Sequence, residues 1–198
     1  IKAAEKDIYQ FKLSRKRALA QGIVSVSTTA GITVGAVPVP LADAFILSSI
    51  EVAEINALAR VYGINKNEES KHFFNSIVEA GTVSAAARGA ISALKGIPGV
   101  NLAAGLVNAV IAGSFVAAIG EGTIYAFEQV YLGKKTVKDI DWVTKAVESR
   151  LSTEFIDKVA SAVRQITENT DKNAIGKVIL DLFGEKEKQP GCNGKGRR

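Results

Sequence analysis

Apolar residues recur at spacings of three and four along most of this chain, the period of helices that bury one face. Residues 3–20 read as a helix with a basic outer face and with Ile8, Phe11 and Leu19 turned inward. From Ala18 to Ala42 no residue is charged, and Pro38 and Pro40 break the helix near the end of that stretch. Pro40 suits the first turn of the next helix, which runs to about Tyr62. There Leu41, Phe45, Ser48, Val52, Ile55, Ala59 and Tyr62 draw one face, and Gly63 is the expected stop. Asn65 with Glu68 resembles a capping pair that opens a helix through His72, Phe73, Phe74 and Ile77.

Mostly small residues continue to Leu94, and Pro98 with Gly99 makes a second break. A long apolar helix follows, interrupted by Glu121 and Glu128 and ended by Gly133. Residues 136–183 are more charged and amphipathic. Val137, Ile140, Val143 and Val147 mark one short helix, and Phe155, Val159, Val163 and Ile166 a second. Ile175, Val178, Ile179, Leu182 and Phe183 mark a third, with Thr136, Ser152 and Thr170 as expected N-caps. The tail beyond Gly184 has nothing to bury and is expected to be disordered.

The fold expected is all-α: a closely packed bundle of two apolar helical hairpins plus amphipathic C-terminal helices. Its expected divisions are a helical domain over 1–134, a packed extension over 135–184 and a tail over 185–198. Three columns of small residues four apart sharpen this picture: Ser27, Gly31, Gly35; Gly81, Ala85, Gly89, Ala93; and Gly105, Ala109, Gly113, Ala117. A ridge without side chains lets a second helix backbone come close, which offsets the helix-propensity cost of glycine.

Composition agrees. Of 198 residues 47% are apolar, only 7% aromatic and four are proline, which suits packed helices better than many short strands. Mean hydropathy is +0.15, high for a soluble domain. The stretches 18–42 and 96–120 are each uncharged and long enough to cross a bilayer. Their prolines, their glycines and the lack of Trp or Tyr at both ends argue for core instead. The chain starts at Ile1 and contains no Met, which predicts a piece of a longer protein, and its charged first residues form no signal sequence. The lone Cys192 fits a reducing compartment. The net charge of +5 gathers at the ends, and Lys12, Arg15, Lys16 and Arg17 are a candidate contact for an anionic surface. Nucleic acid ranks last as a partner, since no aromatics interleave with these bases.

Little catalytic chemistry can be assembled from these residues. No phosphate-binding G-x-x-x-x-G-K-[ST] run is present; LGKKTV at 132–137 reads as a helix end. GIPG at 96–99 lacks the flanks of a nucleic-acid-binding loop. His72 is the sole histidine and reads as a surface or half-buried helix residue, so no metal site or cofactor is expected. Glu121 and Glu128 lie seven apart and read as a solvent-facing stripe, with a buried acid pair as the alternative. Asp43 sits where a carboxylate meets the free N–H groups of a helix start, with a partner contact as the alternative.

The run from Lys16 to Ile64 resembles helical domains of unassigned function that follow the G domain in bacterial Era-like GTPases and occur in YcjF-like inner-membrane proteins. Gly35, Pro38, Pro40, Ala42, Asp43, Tyr62 and Gly63 carry the likeness, and Ile97, Pro98, Gly99 and the helix to Tyr131 are its second element. The likeness covers residues 12–133. A looser similarity links it to the helical domains of immunity-related GTPases. Asn101 and Asn108 depart from it, and residues 136–183 lie outside it. It implies a non-enzymatic regulatory or interaction domain of a GTP-binding protein, cytoplasmic or peripheral at the membrane. The implied partners are an upstream GTPase domain in cis, an anionic membrane surface and a second copy of the chain. The alternative is a membrane-inserting helical hairpin that anchors or remodels a bilayer.

Overall fold

The computed structural model describes residues 2–37, 42–82 and 104–184; the side chains of 2–9, 42–48, 82 and 104 lie outside the description. Seven α-helices occur among these residues: α1 (Lys2–Gly35), α2 (Ala42–Tyr62), α3 (Lys71–Thr82), α4 (Ala104–Tyr131), α5 (Ile140–Glu148), α6 (Thr153–Gln165) and α7 (Lys172–Phe183). A 3-10 turn, Ser149–Leu151, joins α5 to α6. The fold is all-α.

α1 is one continuous helix, about 50 Å long at 1.5 Å per residue. Nothing between its basic and apolar halves breaks the backbone ladder. It ends as Ala36 N–H reaches Ile32 O and Val37 N–H turns back to Val34 O. The residue before a proline avoids the helical region, so Val37 is a natural limit. α2 and α4 end in the same device. Gly63 has φ +72° and Gly133 φ +66°, and each is followed by a 6→1 bond, Ile64 N–H to Ala59 O and Lys134 N–H to Gln129 O.

α3 starts at a reciprocal cap made by Asn67 and Ser70, not by Asn65 and Glu68. Ser70 N–H donates to Asn67 Oδ1 at 3.0 Å and Asn67 N–H to Ser70 Oγ at 2.9 Å. Two expected caps further on also move. Asp171, not Thr170, caps α7 by accepting from the N–H groups of Asn173 and Ala174. Asp139, not Thr136, precedes α5, and its carboxylate accepts from Thr136 N–H at 2.7 Å. At α7 the carboxylate takes the place of the hydroxyl expected from sequence, whereas Asp139 makes no side-chain cap bond to α5. Ser152 precedes α6 but makes no side-chain cap bond.

α4 is the axis of the bundle. α1 lies antiparallel along it, with α2 filling the groove between them. Phe127 of α4 meets Phe73 and Phe74 of α3 and Tyr62 of α2 at centroid distances of 5.9–6.3 Å. On another side Phe115 stacks edge-on against Phe155 of α6, which also meets Phe183 of α7. The charged C-terminal helices thus bury their apolar stripes, from Val143 to Phe183, in the same core as the first four.

Two ridges of small residues meet where α1 crosses α4. A Cβ added to Gly35 would lie 2.6 Å from Ala112 Cβ and 2.7 Å from Asn108 O. At Gly31 it would lie 2.9 Å from Val116 Cγ2, and at Gly113 2.5 Å from Ile32 Cγ1. At Gly105 it would lie 3.0 Å from Ala36 O. Gly81 faces Ile119; Ala85, Gly89, Ala93, Pro98, Gly99 and Asn101 lie outside the described residues, as do Pro38 and Pro40.

The inward faces expected of α1 and α2 need correction. Phe11 and Leu19 are 60% and 64% exposed, and Val52 is 37% exposed. The buried stripe of α2 keeps Ile55, Ala59 and Tyr62 of the expected face and takes in Glu51, Glu54 and Leu58 in place of Val52.

Candidate functional site

A polar seam runs inside the apolar bundle where α1, α2 and α4 converge. Arg17 grips Glu128 with both arms of its guanidinium, Nε to Oε1 at 2.8 Å and Nη2 to Oε2 at 2.5 Å. The Tyr62 hydroxyl donates to the same carboxylate at 3.1 Å. Burial and that carboxylate push the Tyr62 phenol up from its ordinary value. Seven residues back along α4, Glu121 Oε1 accepts from Gln21 Nε2 at 2.8 Å. Next in the seam comes Glu54, aimed at Gly120 of α4, with Glu51 one turn further along α2. Glu121 and Glu128 are each 3% exposed, so they form no solvent-facing stripe; they anchor α4 to α1 and α2.

The basic cluster divides. Lys12 and Arg15 are exposed, and the Arg15 guanidinium lies 5.5 Å over the Phe11 ring. Lys16 donates to Val61 O at the end of α2 and sits over Tyr131, and Arg17 belongs to the seam. Half of the expected anionic contact is therefore spent on holding the helices together. Around the other half, Phe11, Leu19 and Val26 are 60–72% exposed at spacings of eight and seven, which places them along one side of α1. Ala18 and Gly22 are exposed between them.

Among the described residues, two helices are long and apolar enough to cross a membrane, Gln10–Gly35 and Gly105–Tyr131. The second is 89% buried over its most apolar window, the setting of a core helix, and the first only 33%.

With this geometry in view, comparison with known proteins is specific on one point. A family model described as "Domain of unknown function (DUF697)" matches residues 2–153. The chain belongs to the DUF697 family. No curated protein and no solved structure matches it. The match starts with α1 and reaches past α5 to the start of α6, further than the resemblance over 12–133, and it includes every residue of the polar seam.

Within this DUF697 domain the residues singled out from sequence fall into three groups. Gly31, Gly35, Gly105 and Gly113 come together at the α1–α4 crossing, while Gly63 is a turn on the surface. Asp43 lies in the first turn of α2, with its side chain outside the description. His72 is exposed, and among the described residues no three His, Cys, Asp or Glu side chains converge as metal ligands would. Sequence reading passed over Glu51 and Glu54. Their signal was present, since Glu51, Glu54, Leu58 and Tyr62 hold helical spacing.

Proposed function

We propose that this chain is a non-catalytic helical interaction domain that acts in cis with a GTPase domain and presents the outer face of α1 to an anionic membrane surface. The observation that carries the reading is that face: Phe11, Leu19 and Val26 stand in solvent beside exposed Lys12 and Arg15. Apolar side chains flanked by cations suit the boundary between headgroups and acyl chains, where burial and attraction to anionic lipid add. A non-catalytic role is supported by the burial of the polar groups: Glu128 is held by Arg17 and Tyr62, and Glu121, 3% exposed, lines only a small cleft beside Arg150 and Glu154. The GTPase link rests on the resemblance of the run from Lys16 to Ile64. The inserting hairpin has less support, since α4 would have to leave the core it organises.

Co-sedimentation of the chain with vesicles of phosphatidylcholine alone, or with a third of it replaced by phosphatidylglycerol, tests the membrane half. Binding to the anionic vesicles alone, weakened by salt and lost in Leu19→Asp/Val26→Asp, is the expected result. Equal absence of binding to both vesicles refutes it. Titration of the chain with GTP and Mg²⁺ is expected to be flat, because the reading places the nucleotide in another domain; micromolar binding would overturn that half.

A further inference from the structure

The seam is satisfied at one end and not at the other. Glu128 has a guanidinium and a phenol, whereas Glu54, 1% exposed, has no hydrogen-bond partner at either carboxyl oxygen. Glu51, 3% exposed, has none at Oε2. Glu54 is pressed against the backbone of α4: a Cβ on Gly120 would lie 2.6 Å from its Oε1 and 3.1 Å from its Cδ. An ionised carboxylate cannot stay in such a place without a counter-charge, and it neutralises instead.

Among the described residues, the groups around it offer no such charge. α2 itself brings Glu51 and, two turns away, Tyr62, while α4 brings Glu121 and, beyond it, Glu128. α1 brings uncharged Ser27 and Gln21, and its cation Arg17 is held by Glu128. α3 brings Glu79, which lines with Lys66, Val52 and Asn56 a groove that includes neither Glu51 nor Glu54.

We propose that Glu51 and Glu54 form a proton-binding site that locks α2 onto α1 and α4, so that the bundle closes on their protonated forms and α2 loosens when they ionise. Burial pushes the Glu51 carboxyl up to about 8. Burial first, then Glu51 and Glu121, push Glu54 well above the ordinary range; the Ser27 hydroxyl, which faces it without meeting hydrogen-bond geometry, opposes this more weakly. Both folded-state values are raised above the unfolded value of 4.5. The stabilisation is thus complete below about 4.5 and is lost as pH rises to about 8 and beyond. Each proton held only by the closed form lowers the folding equilibrium constant by up to about ten-fold per pH unit across that window. This site works whether or not α1 meets a membrane, because it lies on the opposite, packed side of that helix.

Urea unfolding of the chain at pH of about 5.5 and about 8 tests the proposal. The wild-type midpoint is expected to fall as pH rises. Glu54→Gln should raise the midpoint at the higher pH, and Glu51→Gln/Glu54→Gln should abolish the fall. Glu154→Gln, at an exposed residue, should keep the wild-type profile. Hydrogen exchange, corrected for intrinsic rate, should show α2 losing protection relative to α6 at the higher pH in wild type alone. A wild-type midpoint that does not fall, a double variant that keeps the fall, or α2 protection indifferent to pH overturns the proposal. Should the variants fail to fold, carbon NMR of the wild-type carboxyls decides: two glutamate signals titrating above about pH 7 support it, and all titrating near the ordinary value refutes it.

Discussion

The inner and outer faces of α1 are built from much the same residues. Ala20, Val24, Thr28, Gly31 and Ile32 are buried, while Ala18, Leu19, Gly22 and Val26 are exposed one or two positions away. Hydrophobicity alone does not separate them. What marks the inner face is fit to particular counterparts: Arg17 and Gln21 reach the two buried glutamates of α4, and Gly31 and Gly35 lie where α4 leaves no room for a side chain. At Gly22, by contrast, an added Cβ would meet nothing within 4 Å. A helix can thus carry apolar residues on both faces and still have one face that specifies a neighbour and another that does not.

The largest expected break of this contrast is Arg17→Met. It leaves Glu128, whose side chain is 4% exposed, with only Tyr62 as a partner. Removing one member of a buried ion pair strands the other, and the expected loss is about 3 kcal/mol, at the low end because Arg17 is itself partly in solvent. Arg17→Met/Glu128→Gln should recover most of it, since no charge is then stranded. Urea midpoints of the two variants at one pH check this. If the single and double variants lose equally, the pair is not what holds α1 to α4.

Next in size is Gly113→Leu. The Ile32 and Ile179 side chains already stand 2.5 and 3.0 Å from where its Cβ would go. Overpacking there is expected to cost about 1–3 kcal/mol, against a propensity gain of a little under ~1 kcal/mol. Gly35→Ala should also destabilise, because Asn108 O belongs to backbone that cannot step aside. A raised midpoint for the leucine variant would show that the ridges do not touch.

How much of this could be read in the sequence follows from what each feature depends on. Helix ends set by local chemistry were legible: Gly63 and Gly133 at positive φ, and the end of α1 at Gly35. So was the columnar spacing of the glycines. The rotation of a helix about its axis was not, because it is settled by distant partners. In α2 the expected face holds at Ile55, Ala59 and Tyr62, but the buried stripe turns to take in Glu51 and Glu54 where the sequence offered Val52. Arg17 and Glu128 are 111 positions apart, and nothing local to either says that they pair. The same ambiguity turned Phe11 and Leu19 inward on paper, where the structure leaves them in solvent.

The smallest effect probes the outer face alone. Gly22→Ala adds one methyl group where nothing lies within 4 Å, in the middle of a 34-residue helix. Alanine is favoured over glycine in such a position by about 0.8–1.0 kcal/mol, so the variant should be more stable by up to that amount. The gain is expected in the free chain, by urea unfolding followed with far-UV circular dichroism. Its sign separates two states of the outer face. A solvent-facing α1 gains from the methyl group, as any open helix would. An α1 whose Gly22 side is closed by a second copy of the chain would meet the methyl group with a clash, and stability would fall in a way that depends on protein concentration. A lowered midpoint at every concentration would mean that some other part of the chain lies against Gly22, and the face offered here to a membrane would not be free.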